Sequence, residues 1–268
     1  MSKKLVSNPI NDATQIDSGP NFDTSKGVRI LRALYAIGSY GLSVVTLLYF
    51  FAFVNDLFIP VTVNSGPFDT PILTAISINF GLLLLFGLQH SVMARGKFKQ
   101  WIQRFIDPSI ERASYCLATS LVLGFICCSW IPIEGTIWSV ENQVAVGLLR
   151  SISAAGLAVL LLATFNLDHF ELFGLRQAYC QLVQKVMPTM QFKMSGLYKI
   201  VRHPIQTGLL MGMWSVPQAS TSHLMLAGGM TVYIFIGLYF EEKALIAEFG
   251  QTYRDYKAKV AKVIPLIC

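Results

Sequence analysis

Five stretches of the chain, 34–54, 71–94, 113–133, 151–167 and 204–240, carry no Lys, Arg, Asp or Glu and are dominated by apolar residues. A helix rises about 1.5 Å per residue and a bilayer core is about 30 Å thick, so roughly 20 apolar residues make one crossing. The first four stretches therefore predict one membrane helix each. The fifth is long enough for two passes, and Pro217-Gln218-Ala219-Ser220 in its middle reads as the turn between them. Its first arm, 204–216, amounts to about 20 Å of helix, enough to enter a bundle but short for a full crossing. The pattern predicts an all-α, polytopic integral membrane helix bundle with five to six membrane segments, the fifth of them short.

Composition agrees with a lipid solvent, since 53% of residues are hydrophobic and only 13% charged, too apolar a mixture for an ordinary water-soluble domain. The remaining charges are sorted by loop. Lys3, Lys4, Lys26, Arg29 and Arg32 precede the first stretch, and Arg95, Lys97, Lys99, Arg104 and Arg112 join the second to the third. Arg176, Lys185, Lys193, Lys199 and Arg202 follow the fourth, and Lys243, Arg254, Lys257, Lys259 and Lys262 follow the fifth. The alternate links, 55–70, 132–142 and 217–223, hold acids or no charge. By the positive-inside rule the basic links, and with them the N- and C-termini, are expected in the cytosol. Arg150 departs from the pattern at a depth from which its long side chain can snorkel.

The net charge of +6 is thereby explained by topology. No basic stripe interleaved with aromatics marks a nucleic-acid groove, so nucleic acid is not an expected partner. Residues 1–27, rich in Ser, Asn, Asp, Gly and Pro, read as a flexible cytosolic tail without a cleavable signal, and 28–268 as one membrane domain. Cys116, Cys127, Cys128, Cys180 and Cys268 show no C-x-x-C spacing, and neither a disulfide framework nor a metal site is expected.

Polar and ionisable residues at membrane depth are costly, so their positions point to function. Gln89-His90-Ser91 closes the second stretch, where an interfacial histidine that meets water is the plain alternative. Asn166-Leu167-Asp168-His169-Phe170-Glu171, followed by Gly174-Leu175-Arg176-Gln177, lies where the fourth leaves the membrane and is more polar than a helix exit requires. In Ser195-Gly196-Leu197-Tyr198-Lys199-Ile200-Val201-Arg202-His203-Pro204, glycine marks a turn and Pro204 holds His203 extended while suiting the first position of a new helix. Arg202 and His203 thus stand at a helix mouth whose amide dipoles attract a carboxylate such as that of an amino acid. Gly208 and Gly212 leave a small-residue face for another helix or a ligand. Glu241-Glu242 are placed to answer Arg202 or a ligand's ammonium and hydroxyls, although a helix start in water would look the same. Leu245, Phe249, Tyr253, Tyr256 and Val260 then predict an amphipathic helix lying against the bundle. Segments 168–204 and 241–268 are expected to form one cytosolic active-site face.

Leu197-Tyr198, Arg202-His203-Pro204, Gly208, Glu241-Glu242, Leu245, Phe249-Gly250, Tyr253, Tyr256 and Pro265 together resemble the isoprenylcysteine carboxyl methyltransferase superfamily of membrane methyltransferases. Gly87-Leu88-Gln89-His90-Ser91-Val92-Met93-Ala94 and Phe170-Glu171-Leu172-Phe173-Gly174-Leu175-Arg176-Gln177 are similar to motifs of its narrower branch, which holds methanethiol S-methyltransferase and the nuclear-envelope protein nurim. The resemblance implies methyl transfer from S-adenosylmethionine to a small volatile thiol, methanethiol becoming dimethyl sulfide, with hydrogen sulfide as a possible second acceptor. It implies donor binding by Leu197, Tyr198, Arg202, His203, Glu241 and Glu242. Gln206 stands where the superfamily often has tyrosine, so that position is not carried over.

Gln89, Glu171, Arg176 and Gln177 are then expected on the acceptor side. The thiolate attacks rather than the thiol, and a thiol with a pKa near about 8.5 is only a few per cent ionised at neutral pH. A general base, typically a factor of about 10² to 10⁴ in rate, is therefore expected. Asp168 with His169, or else His90, is expected to supply it at the membrane edge, where a small apolar thiol partitions and water is scarce. Two alternatives stand beside this: carboxyl methylation of a prenylated cysteine, which needs a groove open to lipid, and a nurim-like membrane scaffold without activity. A haem carrier is disfavoured because His90, His169, His203 and His223 are expected on both sides of the membrane.

Overall fold

A computed structural model of the protein describes residues 24–188 and 194–265. The elements run α1 (Lys26–Asn55), α2 (Ile72–Met93), α3 (Gly96–Ile102), α4 (Pro108–Ser129), β1 (Thr136–Ser139), α5 (Gln143–Leu167), α6 (His169–Leu172), α7 (Leu175–Leu182), a 3-10 turn (Gly196–Lys199), α8 (Pro204–Trp214), β2 (Gln218–Ser220), α9 (Thr221–Phe249) and α10 (Gln251–Lys259). Of the tail expected over 1–27, residues 1–23 lie outside the described residues, as do Lys193 and Cys268. Helix α1 starts slightly earlier than expected, at Lys26, because Ser25 caps it by accepting the Val28 amide.

Among the described residues, five helices, α1, α2, α4, α5 and α9, are long and apolar enough to cross a membrane. The shortest of them have 22 residues and reach about 33 Å, just over the hydrocarbon thickness. Their outward faces expose Leu31, Leu73, Leu162, Val232 and Ile236, a surface that lipid accepts and water penalises. Inside, Phe50 and Phe53 of α1, Leu82 and Phe86 of α2, Ile126 of α4 and Leu238 of α9 pack into one core.

Helices α5 and α8 meet through glycine. A Cβ added at Gly156 would lie 2.7 Å from the Gly208 carbonyl oxygen and from the Gly212 nitrogen, and one at Gly208 would lie 2.5 Å from the Gly156 oxygen. The two backbones are in direct contact, so the glycine spacing on α8 serves a partner helix.

At the end of the bundle opposite the candidate residues, β1 and β2 pair antiparallel, Thr136 facing Ser220 and Ser139 facing Gln218. Residues 217–220, expected as a turn in an all-α chain, are thus partly a strand. The reason is local: Trp138 donates Nε1–H to the Val216 carbonyl at 3.1 Å and stacks on Trp214, holding the segment extended. Ser220 then caps α9 by accepting the His223 amide at 2.9 Å. Buried polar groups nearby are paired internally, as lipid requires: Asn79 bonds both the amide and the carbonyl of Ile131, and Trp130 Nε1 donates to Ser222 Oγ at 2.8 Å. Because β2 lies beside β1, the α8–α9 link sits at the same end as the α4–α5 link. Helix α8, with 11 residues, is only about 16 Å long.

Helix α9 does not stop where the apolar run stops. It continues through Glu241 and Glu242 to Phe249, since nothing breaks it before Gly250 at φ 57°. The amphipathic helix expected after the last span is therefore divided, Leu245 and Phe249 riding on α9 and the buried Tyr253 and Tyr256 on α10.

Candidate active site

Pro204 opens α8 and His203 is its N-cap, as the sequence pattern predicts. The C-terminal segment runs beside this entry. Val201 and Ala261 form a parallel bridge, Arg202 N donates to the Ala261 carbonyl at 2.8 Å, and His203 N donates to that of Lys262 at 3.1 Å. Thr207 Oγ1 adds a bond to the Val263 carbonyl at 2.7 Å. With the backbone held in this way, both side chains turn toward α9.

Arg202 Nε donates to Glu242 Oε1 at 2.8 Å, and its Nη1 donates to the carbonyls of Lys257, at 2.9 Å, and Val260. Glu242 Oε2 accepts from Lys257 Nζ at 2.8 Å, and His203 Nε2 lies 3.3 Å from Glu242 Oε1. Burial holds His203 down at about 4 against the raising effect of Glu242, so the ring is neutral at pH 7. The tautomer that satisfies Glu242 carries its proton on Nε2. Nδ1 then faces Glu241, whose Oε2 is 3.9 Å away and whose side chain is 49% exposed. Tyr198 is buried alongside, its carbonyl accepting from Tyr256 Oη at 2.6 Å. Burial, with the Glu241 carboxylate nearby, pushes the Tyr198 hydroxyl well above its usual value and keeps it neutral. Leu197 is half-buried on the same 3-10 turn. The six residues expected on the donor side are thus brought together, with Arg202 fully engaged inside the protein and Glu241 the member that meets solvent.

The residues expected on the acceptor side divide into two groups. His90, near the end of α2, lies against Tyr115 of α4, whose oxygen is 2.8 Å from Nε2, while Thr119 Oγ1 is 3.3 Å from Nδ1. Its ring stacks on Phe86 at 5.3 Å. Gln89 donates Nε2–H to Thr119 at 3.3 Å, and its buried Oε1 has no hydrogen-bond partner among the described residues.

The second group has structural partners. Asp168 caps α6 by accepting the Glu171 amide at 3.1 Å and is paired with Arg176. His169 is buried with both nitrogens engaged, Nε2 with Tyr40 Oη at 3.0 Å and Nδ1 with Thr164 Oγ1 at 2.7 Å, and its ring stacks on Phe165 at 4.1 Å. Gln177 Nε2 donates to the half-buried Glu171's carbonyl at 3.2 Å, and the buried Gln177 Oε1 has no partner among the described residues. These contacts lock the α5–α7 turn.

Two residues that the sequence reading passed over join the groups. Arg112, read there only as a topology charge, lies 5.0 Å from the centroid of the Tyr115 ring and donates Nε–H to the Leu172 carbonyl at 2.7 Å. Their separation by one helical turn on α4 was the available signal. Glu241 Oε2 lies 3.9 Å from His203 Nδ1, and its carboxylate is within electrostatic reach of both Tyr198 and Tyr115.

No protein-family model matches the chain, and no solved structure does. The chain is similar to methanethiol S-methyltransferase 1 of Bradyrhizobium diazoefficiens, 41% identical over 247 residues that cover 92% of this chain and 86% of that protein. Similarity to methanethiol S-methyltransferase of Crocosphaera subtropica is 38% over 234 residues, 87% of this chain and 91% of that protein. Nurim of Homo sapiens is 31% identical over 177 residues, 62% of this chain and 66% of nurim.

Proposed function

This chain belongs to the methanethiol S-methyltransferase family, and on that premise we propose that it methylates methanethiol to dimethyl sulfide with S-adenosylmethionine as donor, hydrogen sulfide being a second acceptor. The observation that carries the reading is the buried Arg202–Glu242–His203 cluster at the mouth of α8, with half-exposed Glu241 beside it. These residues fit an amino-acid and ribose ligand. Glu241 offers a carboxylate to an ammonium or hydroxyls, and the first turn of α8 offers its dipole to a carboxylate. Arg202, already held by Glu242 and two carbonyls, shapes the wall rather than reaching out.

When bound, the donor would supply an electrophilic methyl group to the acceptor thiolate and would leave as a neutral thioether. His90 takes the thiol's proton, oriented by Tyr115 and shielded from water by Phe86. Asp168 and His169 support this from outside the reacting groups, fixing the turn that carries Glu171, Arg176 and Gln177. In the membrane, the basic links and both termini face the cytosol. The chain crosses six times, α8 with its extended continuation making the fifth crossing. The single membrane domain, 28–268, presents 168–204 and 241–268 as its cytosolic face.

The test is direct. Purified protein in detergent receives S-adenosylmethionine with methanethiol, hydrogen sulfide or a prenylcysteine, and volatile and non-volatile products are followed. Dimethyl sulfide from methanethiol is expected. No methylated product from any acceptor, with no donor binding by calorimetry, overturns the reading.

A further inference from the structure

We propose that Arg112 is the anion-binding residue of the acceptor site, holding the thiolate beside the Tyr115 ring while His90, hydrogen-bonded to the same tyrosine, receives its proton. This rests on the methyl-transfer reading above. The guanidinium is half-buried at the start of a membrane helix, and among the described residues no carboxylate lies within 4.0 Å of it. Arg32, Arg176 and Arg202 each have such a partner. A partly desolvated cation without a counter-ion is costly, and a visiting anion relieves that cost.

Arg112 is also held in place from two sides. The Leu172 carbonyl takes Nε, and the Tyr115 ring lies 5.0 Å from the guanidinium carbon. The carbonyl is presented by the α6–α7 turn, which is pressed onto the α4 backbone at this point. Gly174 has φ 85°, and a Cβ there would lie 2.5 Å from Ala113 N and 3.0 Å from the Arg112 carbonyl carbon. The Phe170-to-Gln177 motif therefore has a mechanical role, seating Leu172 against Arg112. The unpartnered amide oxygens of Gln89 and Gln177 lie on α2 and α7, both packed on α4, and suit the arrival of a weak S–H donor.

The assignment explains how acceptor and product are told apart. The thiolate is an anion that the guanidinium attracts; the product is a neutral thioether that it does not. Transfer of the methyl group removes the charge by which the acceptor was held, so the product is released into the apolar surroundings.

Thiocyanate, a small anion with a sulfur end, is the probe. In wild-type enzyme it is expected to inhibit competitively against methanethiol and not against the donor. Arg112→Gln is expected to lose that inhibition and about 100-fold in kcat/KM for the thiol, with donor affinity by calorimetry unchanged. Arg112→Lys, which keeps the charge without the planar fork, is expected to fall between. Thiocyanate that fails to compete with methanethiol in the wild type, or an Arg112→Gln enzyme within about threefold of wild-type kcat/KM, overturns the proposal. Should Arg112→Gln fail to fold, wild-type competition and Arg112→Lys decide. An error in the methyl-transfer reading shows instead as absent wild-type turnover.

Discussion

His203 and the two glutamates behave differently although all three touch. His203 is held neutral by burial down to about 4, whereas the unfolded chain takes up a proton near 6.5. Its folded pKa is the lower one, so its contribution is complete above pH 6.5 and is lost as pH falls toward 4, up to about 3 kcal/mol. Thermal unfolding in detergent should decline over that window in wild type and much less in His203→Gln. Glu242 is buried with Arg202, so Glu242→Gln strands a guanidinium and is expected to cost about 3 kcal/mol, read as a large drop in unfolding temperature. Glu241→Gln, at a half-exposed side chain, should leave unfolding within about 0.5 kcal/mol of wild type while weakening donor binding by calorimetry. Arg202 with Glu242 was legible in sequence because two charges flank long apolar runs. Arg112 was not, because its meaning depends on the Leu172 carbonyl, 60 residues away.

Among the elements, α8 is the one whose geometry the site depends on, since its first residues carry Arg202 and His203 into position. Its contact with α5 tolerates no added methyl group, and Gly208→Ala is expected to force the backbones apart, lowering both unfolding temperature and donor affinity. Gly237→Ala on α9, where a Cβ would meet nothing within 4 Å, should be neutral or stabilising by about 0.5 kcal/mol. The long helices were readable from uncharged runs because lipid imposes both their length and their composition. The end of α9 was not, since charge marks where lipid ends, whereas a helix ends where a residue such as Gly250 breaks it. The short β1–β2 pair was hidden too: strands of 4 and 3 residues carry too little alternation to register.

For the whole molecule, the six crossings proposed above predict both chain ends on one side. A green fluorescent protein fused at the C-terminus should fluoresce, and alkaline phosphatase fused there should be inactive but become active when fused after Ser139. Reversed activities would refute the orientation. The long apolar runs extend over whole helices, which is why the helix bundle was more legible than its chemistry. The brevity of α8 has a consequence for measurement. On the proposed topology, a fifth crossing with only 11 helical residues would set the proposed donor mouth below the general level of the surface, between two phases. A polar donor reaches it from water, but an apolar thiol is counted by its concentration in the hydrocarbon. Adding detergent or lipid at a fixed total amount of thiol dilutes that phase. The apparent KM for methanethiol should then rise in proportion to the volume of hydrocarbon, while the apparent KM for the donor stays where it was.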